Sequence, residues 1–541
     1  MKMLCRMMVA GVALGVAVGV WAPGAQGAEK VLRVLETTDM HGAMTCAPVS
    51  EQGRWRDAGL ARLATVIREA RESAPGGASL LLDSGDYLQG TLESSYSRGR
   101  RMVEAMNVLG YDVVGIGNHE FDWGVDVASA AVGGFSMPVV SANLLTEGAR
   151  QEEGLFENVR PYILKDVGGL RVAVVGLTTP NLPHWYRDFG EAGLRTSPSV
   201  QTLERLLPEL RRHGPDIMIL LVHQGLRTED DGANEINAIG ARFPEFDVVL
   251  GGHLHWALPG ARVGHADYGQ AGAYAGGVLQ VDLTYDEEKG EVTSKEFRFL
   301  QVEASTPADE RLSDLFREDA GRAEQEYAEV LGRAERPIGV TQTPPALSPM
   351  QQLFARSMMA ATGAEAAITG ANGGERLLTG PITVRDLWRV LPYENGVGVA
   401  WMTKEEIRLV MEEAMQYLGT ERYVALTGLA YDLYPNAEAG RRVRNIRRPD
   451  GEALNGRRRI PVAMSSYLIS GAGGRYPVLE GILHSSHARV ELVKEKNLRD
   501  LVADYVRANS PLTLESGHDA RVFRRERRLW ERKADFEQSG K

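Results

Sequence analysis

Short, mostly apolar runs alternate with amphipathic segments in the first half of the chain, from Val31 to about Tyr285. Several runs are flanked by polar turn residues, so each is interpreted as a buried β-strand. These runs are Val31–Leu35, Leu80–Leu82, Val113–Ile116, Val172–Val175, Ile217–Val222, Val248–Leu250 and Val278–Leu283. The segments between them carry apolar residues at helical spacing, as at Leu203, Leu206 and Leu210. The alternation predicts a layered α/β domain.

The pattern changes after the last of these runs. Residues 306–346 are charged and helical in pattern until Pro344 and Pro345, which is typical of a connector between domains. Mixed signals follow: helices at Met350–Thr362 and Lys404–Tyr417, and strand-like pieces at Val424–Leu433 and Arg459–Met464. These signals predict an α+β domain. We therefore expect a first domain at 28–305, a helical linker at 306–346 and a second domain at 347–541.

The N-terminus has the features of an export signal. Lys2 and Arg6 precede the uncharged stretch Met7–Val20, and Ala25-Gln26-Gly27 supplies small residues of the kind that a signal peptidase reads. An uncleaved membrane anchor is the alternative, because no charge appears until Glu29. We expect a cleaved signal peptide at 1–27, a periplasmic or extracellular location, and no stable membrane insertion after cleavage.

Composition narrows the class of protein further. The 541 residues are 43% hydrophobic, which is enough for a sizeable core, and the length favours two large domains. The net charge of −11 argues against binding to nucleic-acid polymers or to an anionic membrane surface. The only cysteines are Cys5 and Cys46, and cleavage of the signal would leave Cys46 alone. The exported chain could then form no internal disulfide.

Asp, Asn and His residues follow five of the predicted strands. The segments are Asp39-Met40-His41, Gly85-Asp86, Gly117-Asn118-His119-Glu120, His223 and Gly252-His253-Leu254-His255. Because ligands of open α/β sheets gather at the carboxyl ends of the strands, five distant segments can converge on one site.

These side chains suit a pair of divalent metal ions. Two cations about 3.5–4 Å apart need a shared carboxylate, surrounding nitrogen and oxygen donors, and open positions for water and substrate. Asp86 is the candidate for the shared carboxylate, with Asp39, His41 and His255 completing one site and Asn118, His223 and His253 the other. Such mixed donors suit Zn²⁺, Mn²⁺, Fe or Co²⁺. Each segment alone has an ordinary interpretation, as a surface turn or a hydrogen-bonded core histidine, but the five together predict a dinuclear centre.

At these residues the sequence resembles the secreted 5′-nucleotidase family, whose N-terminal domain is a calcineurin-like metallophosphoesterase. The matching blocks are Thr38-Asp39-Met40-His41-Gly42, Ser84-Gly85-Asp86, Gly117-Asn118-His119-Glu120-Phe121-Asp122 and Gly251-Gly252-His253-Leu254-His255. The resemblance implies a four-layer α/β sandwich followed by an α+β nucleotide-binding domain. It also implies that Asn118 binds a metal whereas His119 is catalytic, stabilising the transition state or protonating the leaving alcohol. Asp122 would hold the other ring nitrogen of His119, although Asp is also favoured at helix starts.

The second domain carries the rest of the resemblance. The matching blocks are Asn372-Gly373-Gly374-Glu375-Arg376, Leu391-Pro392-Tyr393-Glu394-Asn395 and Gly471-Ala472-Gly473-Gly474-Arg475-Tyr476-Pro477. They imply nucleotide binding by Asn372, Gly374, Arg376, Tyr393 and Tyr476. The two tyrosines would sandwich a base and Arg376 would bind a phosphate or hydroxyl. Half-buried core packing is the alternative for each tyrosine.

The resemblance implies an exported, metal-dependent phosphohydrolase that releases phosphate from nucleoside 5′-monophosphates. The block at Gly471–Tyr476 lacks the Asp of the family pattern, so a 2′,3′-cyclic-nucleotide 2′-phosphodiesterase/3′-nucleotidase or a UDP-sugar hydrolase is an alternative. Asp122 after Phe121 favours the 5′-nucleotidase branch. A nucleotide-binding surface protein without turnover is the non-enzymatic alternative.

Overall fold

The computed structural model describes residues 29–45, 58–147, 155–186, 189–340, 347–370, 375–420, 422–515 and 520–522. The expected signal peptide at 1–27, Cys46, Asn372 and Gly374 lie outside the described residues. Among the helices that are described, none combines the length and the apolar character that a membrane crossing needs.

The first domain is built on two sheets. The first sheet has seven strands in the order Glu291–Gln301, Gly277–Asp286, Glu29–Thr37, Ser79–Asp83, Val113–Val114, Val139–Val140 and Val159–Arg160. The second has six in the order Ala257–Val263, Ala266–Ala271, Val248–Leu250, Ile217–Val222, Leu170–Leu177 and Tyr162–Val167. The central strands of both sheets are parallel. Antiparallel pairs form both edges of the second sheet but only one edge of the first, whose other edge strand, Val159–Arg160, is parallel to its neighbour. A small antiparallel pair, Leu144–Thr146 with Leu194–Thr196, lies apart from both.

The two faces of each sheet are both covered. The strand Glu29–Thr37 shows both coverings. Its residues Leu32 and Val34 pack in a core between the two sheets, together with Val172 and Ile219 of the second sheet. Its residue Leu35 packs in a separate core with the helices that cover the first sheet. Those helices are Leu60–Glu72, Arg100–Leu109 and Val125–Gly133, and Ser199–His213 and Ile236–Arg242 cover the second sheet. Burial on both faces explains the nearly continuous apolar runs. The predicted four-layer α/β sandwich is confirmed.

The predicted α+β character of the second domain is also confirmed. A mixed five-stranded sheet has the order Ala425–Thr427, Ala366–Thr369, Ile460–Ser465, Gly396–Met402 and Val490–Asn497, and a smaller sheet contains Val443–Arg447, Ala430–Leu433 and Ala520–Val522. The helices are Pro349–Thr362, Val384–Val390, Lys404–Ala414, Ser466–Ile469, Pro477–Leu483 and Leu498–Asn509. Ser348 and Thr403 form capping boxes that start two of them.

Two details differ from the sequence-based expectation. The single strand expected at Val424–Leu433 is two strands, because Gly428 between them has a φ of 89° that a continuous strand does not accommodate. The expected helical linker contains one long helix, Glu310–Tyr327, and then a strand, Val330–Ala334, that pairs with Gly380–Thr383. The end of the linker is therefore hydrogen-bonded to the second domain.

Candidate functional site

The predicted metal ligands lie at one end of the two-sheet sandwich. The strands Glu29–Thr37 and Ser79–Asp83 are parallel and adjacent, so Asp39 and Asp86, which follow them, emerge at the same edge. The parallel strands that precede His223 and His253 make the same arrangement in the second sheet. The topology thus brings ligands from both sheets to one place.

The side chains form two compact groups. In the first, one donor atom from each of Asp39, His41 and His255 lies within 4.8 Å of the others. In the second, the same holds for Asp86, His223 and His253. Asn118 adjoins the second group, with its Oδ1 3.0 Å from His253 Nδ1. The structure therefore brings together all seven residues that the sequence singled out.

Gly252 lies between the groups and shows how close they are. A Cβ atom at this position would stand 3.0 Å from His223 Nδ1 of one group and 3.2 Å from Asp39 Oδ2 of the other. It would also approach Thr38 Oγ1 to 2.4 Å, which is closer than real Cβ contacts. Glycine at this position therefore lets the two groups approach each other as a dinuclear centre requires.

Backbone carbonyls fix the tautomers of two histidines. His41 Nδ1 lies 2.8 Å from the carbonyl oxygen of Gln89, and His223 Nδ1 lies 3.0 Å from that of Ser84. Because a carbonyl oxygen only accepts, both Nδ1 atoms carry the proton. Each ring then presents the lone pair of its Nε2 to its group, which is the usual arrangement of a metal-binding histidine.

Two buried atoms of the candidate metal ligands lack hydrogen-bond partners within the described part of the chain. Asp86 Oδ2 and His223 Nε2 lie 3.0 Å apart, and neither makes a hydrogen bond. Buried polar atoms are nearly always satisfied, so such a pair needs an explanation. A divalent cation with nitrogen and oxygen ligands satisfies both atoms. The residues present therefore fit the two expected metal ions.

The backbone is strained at most of the ligands. Five of the seven have a positive φ: Asp39 at 50°, His41 at 49°, Asp86 at 60°, His253 at 74° and His255 at 59°. Residues with a side chain rarely adopt this left-handed conformation, and it persists only where the surroundings enforce it. Such strain is concentrated at functional sites, so its clustering here supports a functional role for the site.

The protein's own groups keep two of the rings neutral. Burial lowers the pKa of His41 well below its usual value and that of His253 to about 3. Burial also raises the pKa of Asp39 to about 7, with the Asp86 carboxylate adding to the effect. Neutral imidazole is the form that coordinates metals, and a nearby cation would favour the ionised form of Asp39.

Glu120 is a supporting residue whose role the sequence did not reveal. It is fully buried, and its carboxylate accepts hydrogen bonds from the backbone N–H groups of Asp86, Tyr87 and Gly117. Burial and the neighbouring Asp86 raise the pKa of Glu120 to about 7. This carboxylate connects the two loops that carry Asp86 and Asn118.

His119 and Asp122 form the expected pair. His119 Nδ1 lies 2.9 Å from Asp122 Oδ2, and the backbone N–H of His119 donates to Asp86 Oδ1 at 2.7 Å. Burial alone would lower the pKa of His119, but the Asp122 and Asp86 carboxylates outweigh it and raise the pKa to about 10. These two carboxylates favour the protonated ring, which is the form in which a general acid acts. Its Nε2 is the atom left to donate this proton.

Tyr393 of the second domain reaches this pair. Its ring is stacked on His119, with centroids 4.8 Å apart and planes 9° from parallel, and it remains 40% exposed. The side-chain amide of Gln89 donates to the carbonyl oxygen of Pro392 at 2.6 Å. The backbone oxygen of Gln89 also accepts a hydrogen bond from His41. Gln89 therefore links the ligand group of His41 to the segment that carries Tyr393.

Tyr476 occupies a different environment from the one expected. Its side chain is 1% exposed in the second-domain core, its ring contacts Tyr417, and its hydroxyl donates to the backbone oxygen of Arg422. In this arrangement it has no open face for a base, so core packing, the alternative interpretation, describes it correctly. The reason is that an aromatic residue beside glycines gives the same local pattern whether it is buried or exposed.

Arg376 lies on a segment that touches the rest of the second domain. Its backbone oxygen accepts a hydrogen bond from the Arg389 side chain at 3.0 Å. The neighbouring residues 371–374, which include the expected substrate-binding Asn372 and Gly374, lie outside the described residues.

Three consecutive residues that the sequence did not single out complete the site. His184 pairs with Glu480 of the second domain at 2.9 Å, and Trp185 lies against the metal-ligand candidate His253, with ring centroids 5.3 Å apart. The Tyr186 hydroxyl contacts Asp122. Burial and Asp122 raise the pKa of Tyr186 well above its usual value, so the hydroxyl keeps its proton. No periodicity marks these residues, because their role arises only from the tertiary fold.

Comparison with known proteins matches both halves of the chain. The calcineurin-like phosphoesterase family matches residues 32–257, and the 5′-nucleotidase C-terminal domain family matches residues 323–481. A 2′,3′-cyclic-nucleotide 2′-phosphodiesterase/3′-nucleotidase of Haemophilus influenzae is 27% identical over 48% of this chain and 43% of its own length. The chain thus spans less than half of that relative.

Two further matches extend over nearly the whole chain. Protein UshA of Yersinia enterocolitica is 26% identical over 89% of this chain and 92% of its own length. The crystal structure of a putative 5′-nucleotidase from Staphylococcus aureus has a TM-score of 0.75 at 20% identity, and the match covers 91% of this chain and all of that one. The two family matches together show that the chain has a calcineurin-like phosphoesterase domain followed by a 5′-nucleotidase C-terminal domain.

Proposed function

We propose that the protein is a metal-dependent phosphohydrolase that cleaves phosphate esters of nucleotides, with nucleoside 5′-monophosphates as its substrates. The observation that carries this proposal is the placement of the two ligand groups directly beside the His119–Asp122 pair. A structural metal site would not need a carboxylate-held histidine next to it and outside both ligand groups. The stacked Tyr393 adds an aromatic surface for a base at the same place.

In this proposal Asp39, His41 and His255 would hold one ion, and His223, His253 and Asn118 would hold the other. Asp86 would contribute to both sites. When bound, two such ions supply Lewis acidity toward the phosphate and a water nucleophile at neutral pH. The fixed tautomers of His41 and His223 would direct Nε2 of each ring toward its ion. Burial favours the neutral rings of His41 and His253 by lowering their pKa values.

His119 then acts on the leaving group. Its Nδ1 is held by Asp122, so Nε2 carries the proton that passes to the leaving alkoxide of the nucleoside. The stacked ring of Tyr393 covers one face of His119 and shields the pair from water. With 4.8 Å between the two ring centroids, no base fits between them, so a nucleotide base would use another face of Tyr393 or separate the rings.

A substrate panel with metal-depleted and metal-reloaded protein tests the function. AMP, 3′-AMP, 2′,3′-cyclic AMP and UDP-glucose are each assayed for phosphate and nucleoside release. We expect AMP to be hydrolysed fastest, activity to disappear after chelation, and Mn²⁺, Zn²⁺ or Co²⁺ to restore it. Reloading with Mg²⁺, which prefers oxygen ligands, is the matched control. Binding of AMP without release of phosphate under any metal would contradict the proposal.

Hydrolysis of 2′,3′-cyclic nucleotides is the second candidate. It is supported by the name of the Haemophilus influenzae relative, which matches 48% of this chain. Faster turnover of 2′,3′-cyclic AMP than of AMP in the same panel would establish it instead.

Substrate recognition by Tyr393 gives a separate prediction. Replacement of Tyr393 by alanine removes a stacking surface worth about 1–3 kcal/mol, so KM for AMP is expected to rise roughly 5- to 150-fold. KM for p-nitrophenyl phosphate, which has no base, should change little. Tyr417→Ala in the second-domain core is a control for general damage to that domain, because its ring contacts Tyr476. Equal effects of Tyr393→Ala on the two substrates would contradict a role in base recognition.

The proposed function also includes a location for the protein and a role for each domain. We infer export after removal of residues 1–27, a catalytic domain at 28–305, a linker at 306–346 and a nucleotide-binding domain at 347–541. Such an enzyme would release nucleosides from nucleotides outside the cytoplasm. N-terminal sequencing of the protein recovered from a cell fraction would test the cleavage site.

A further inference from the structure

The three consecutive residues His184–Tyr186 contact three different parts of the molecule. The backbone oxygen of His184 accepts from the N–H of Gly473 at 3.3 Å, Trp185 lies against His253, and the Tyr186 hydroxyl contacts Asp122. The segment therefore lies between the second domain and the proposed catalytic pair. Of the three residues, Tyr186 makes the most direct contact with the His119–Asp122 pair.

The Tyr186 hydroxyl has two oxygen neighbours. It lies 2.6 Å from Asp122 Oδ1 and 2.7 Å from the backbone oxygen of Asn118. Both neighbours only accept, so the tyrosine is the donor, and its single proton lies between the two, with the charged Asp122 carboxylate as the shorter and stronger acceptor. Asp122 thus uses both of its carboxylate oxygens: Oδ2 for His119 Nδ1 and Oδ1 for Tyr186. These two bonds together determine the orientation of the carboxylate.

The tyrosine itself is held in place by packing. Its ring contacts that of Phe121, with centroids 6.0 Å apart, and its backbone N–H donates to the oxygen of Leu182 at 3.1 Å. Phe121 lies in the short helical turn His119–Phe121 and is buried. The contacts with Phe121 and Leu182 therefore fix the Tyr186 ring, and with it the position of the hydroxyl next to Asp122.

We propose that Tyr186 is a positioning residue for the reaction, acting through Asp122 to hold the His119 ring in the orientation that donates its proton to the leaving group. The inference rests on the proposed function for His119 and adds Tyr186 to the pair. A carboxylate held by one bond can rotate away from the imidazole, whereas the second bond prevents that rotation. Supporting hydrogen bonds of this kind are typically worth 10- to 100-fold in activity.

Tyr186→Phe removes only the hydroxyl and keeps the ring packing. With AMP as substrate, we expect kcat to fall about 10- to 100-fold and KM to change little, because binding does not use Asp122. With p-nitrophenyl phosphate the loss should be much smaller, since p-nitrophenolate leaves without needing a proton. Tyr285→Phe is the matched control: its hydroxyl also donates to a carboxylate, that of Asp216 at 3.1 Å, but away from the site.

A double substitution separates the positioning role from a structural one. If Tyr186 acts through Asp122, Tyr186→Phe should lower kcat in the wild-type background and have no further effect in Asp122→Ala. If it acts instead through the Asn118 carbonyl or through general stability, the same loss will appear in both backgrounds and on both substrates. That result would overturn the proposal. Metal content measured by elemental analysis accompanies each assay.

Crystal structures give a readout that does not depend on turnover. We expect the Asp122 carboxylate to lie within hydrogen-bond distance of His119 Nδ1 in the wild-type protein and to rotate away in Tyr186→Phe. An unchanged Asp122 in the variant would overturn the positioning role even if the enzyme is active. A wild-type protein that hydrolyses nothing would refute the proposed function, and the two crystal structures would still decide whether Tyr186 orients Asp122.

Discussion

Replacement of Asp86 by alanine is expected to abolish nucleotide hydrolysis, lowering kcat/KM about 1,000-fold or more. Asp86 is the proposed shared ligand, and its Oδ2 faces His223 Nε2 in a fully buried position. Its Oδ1 also accepts from the His119 backbone, so the same carboxylate holds the loop of the proposed general acid. Loss of metal-ion catalysis costs several kcal/mol of transition-state stabilisation, and each 1.36 kcal/mol is about tenfold in rate.

The measurement combines phosphate release with metal content per chain. We expect Asp86→Ala to bind fewer than two ions, whereas wild-type protein binds two. Asp309→Ala is the matched control, because Asp309 is also a buried carboxylate but caps the helix Glu310–Tyr327. That variant should lose about 0.5–2 kcal/mol in free energy of unfolding and keep its activity. An Asp86→Ala protein with two ions and the wild-type rate would show that the ligand assignment is wrong.

Replacement of His119 by alanine is expected to lower kcat about 100- to 10,000-fold while leaving two metal ions bound. The range is that of a lost general acid. The reason for expecting intact metal binding is the geometry: His119 Nδ1 is bonded to Asp122 and its ring faces Tyr393, outside both ligand groups. The loss should be smaller for p-nitrophenyl phosphate than for AMP, because its leaving group needs no proton.

His213→Ala serves as the control for this substitution. His213 is a partly exposed histidine in the same domain whose ring contacts Tyr162 and approaches Glu209. Its removal should leave both kcat and metal content unchanged. If His119→Ala instead lost metal in proportion to its activity, His119 would have to be reassigned as a ligand.

Much of the fold could be predicted because burial dictates the sequence pattern. Ile217–Val222 is covered on both faces, which requires six consecutive apolar residues, and the strand has exactly the predicted bounds. The convergence of the ligands followed from one rule, that parallel strands end at the same edge. Asp39 and His255 are more than two hundred residues apart in sequence, yet they lie in one group.

Other parts of the site could not be predicted, for physical reasons. Gln89, Glu120 and Tyr186 act through contacts with residues far along the chain or in neighbouring loops, and such contacts leave no periodic trace. For Tyr476 the sequence contained a signal, but the signal did not predict its environment. Its motif was visible, but burial of an aromatic ring depends on how the helices Lys404–Ala414 and Pro477–Leu483 pack around it, which the local sequence does not specify.

The left-handed backbone at five ligands has a consequence for how such a protein can change over time. Each residue in this conformation costs on the order of 1 kcal/mol, so together they consume roughly 5 kcal/mol, which is comparable to the whole net stability of many domains. Catalytic capacity and thermal robustness therefore oppose each other at the same positions. A descendant freed from turning over substrate could replace these ligands with glycine and gain stability, which is one route by which an enzyme becomes an inert scaffold.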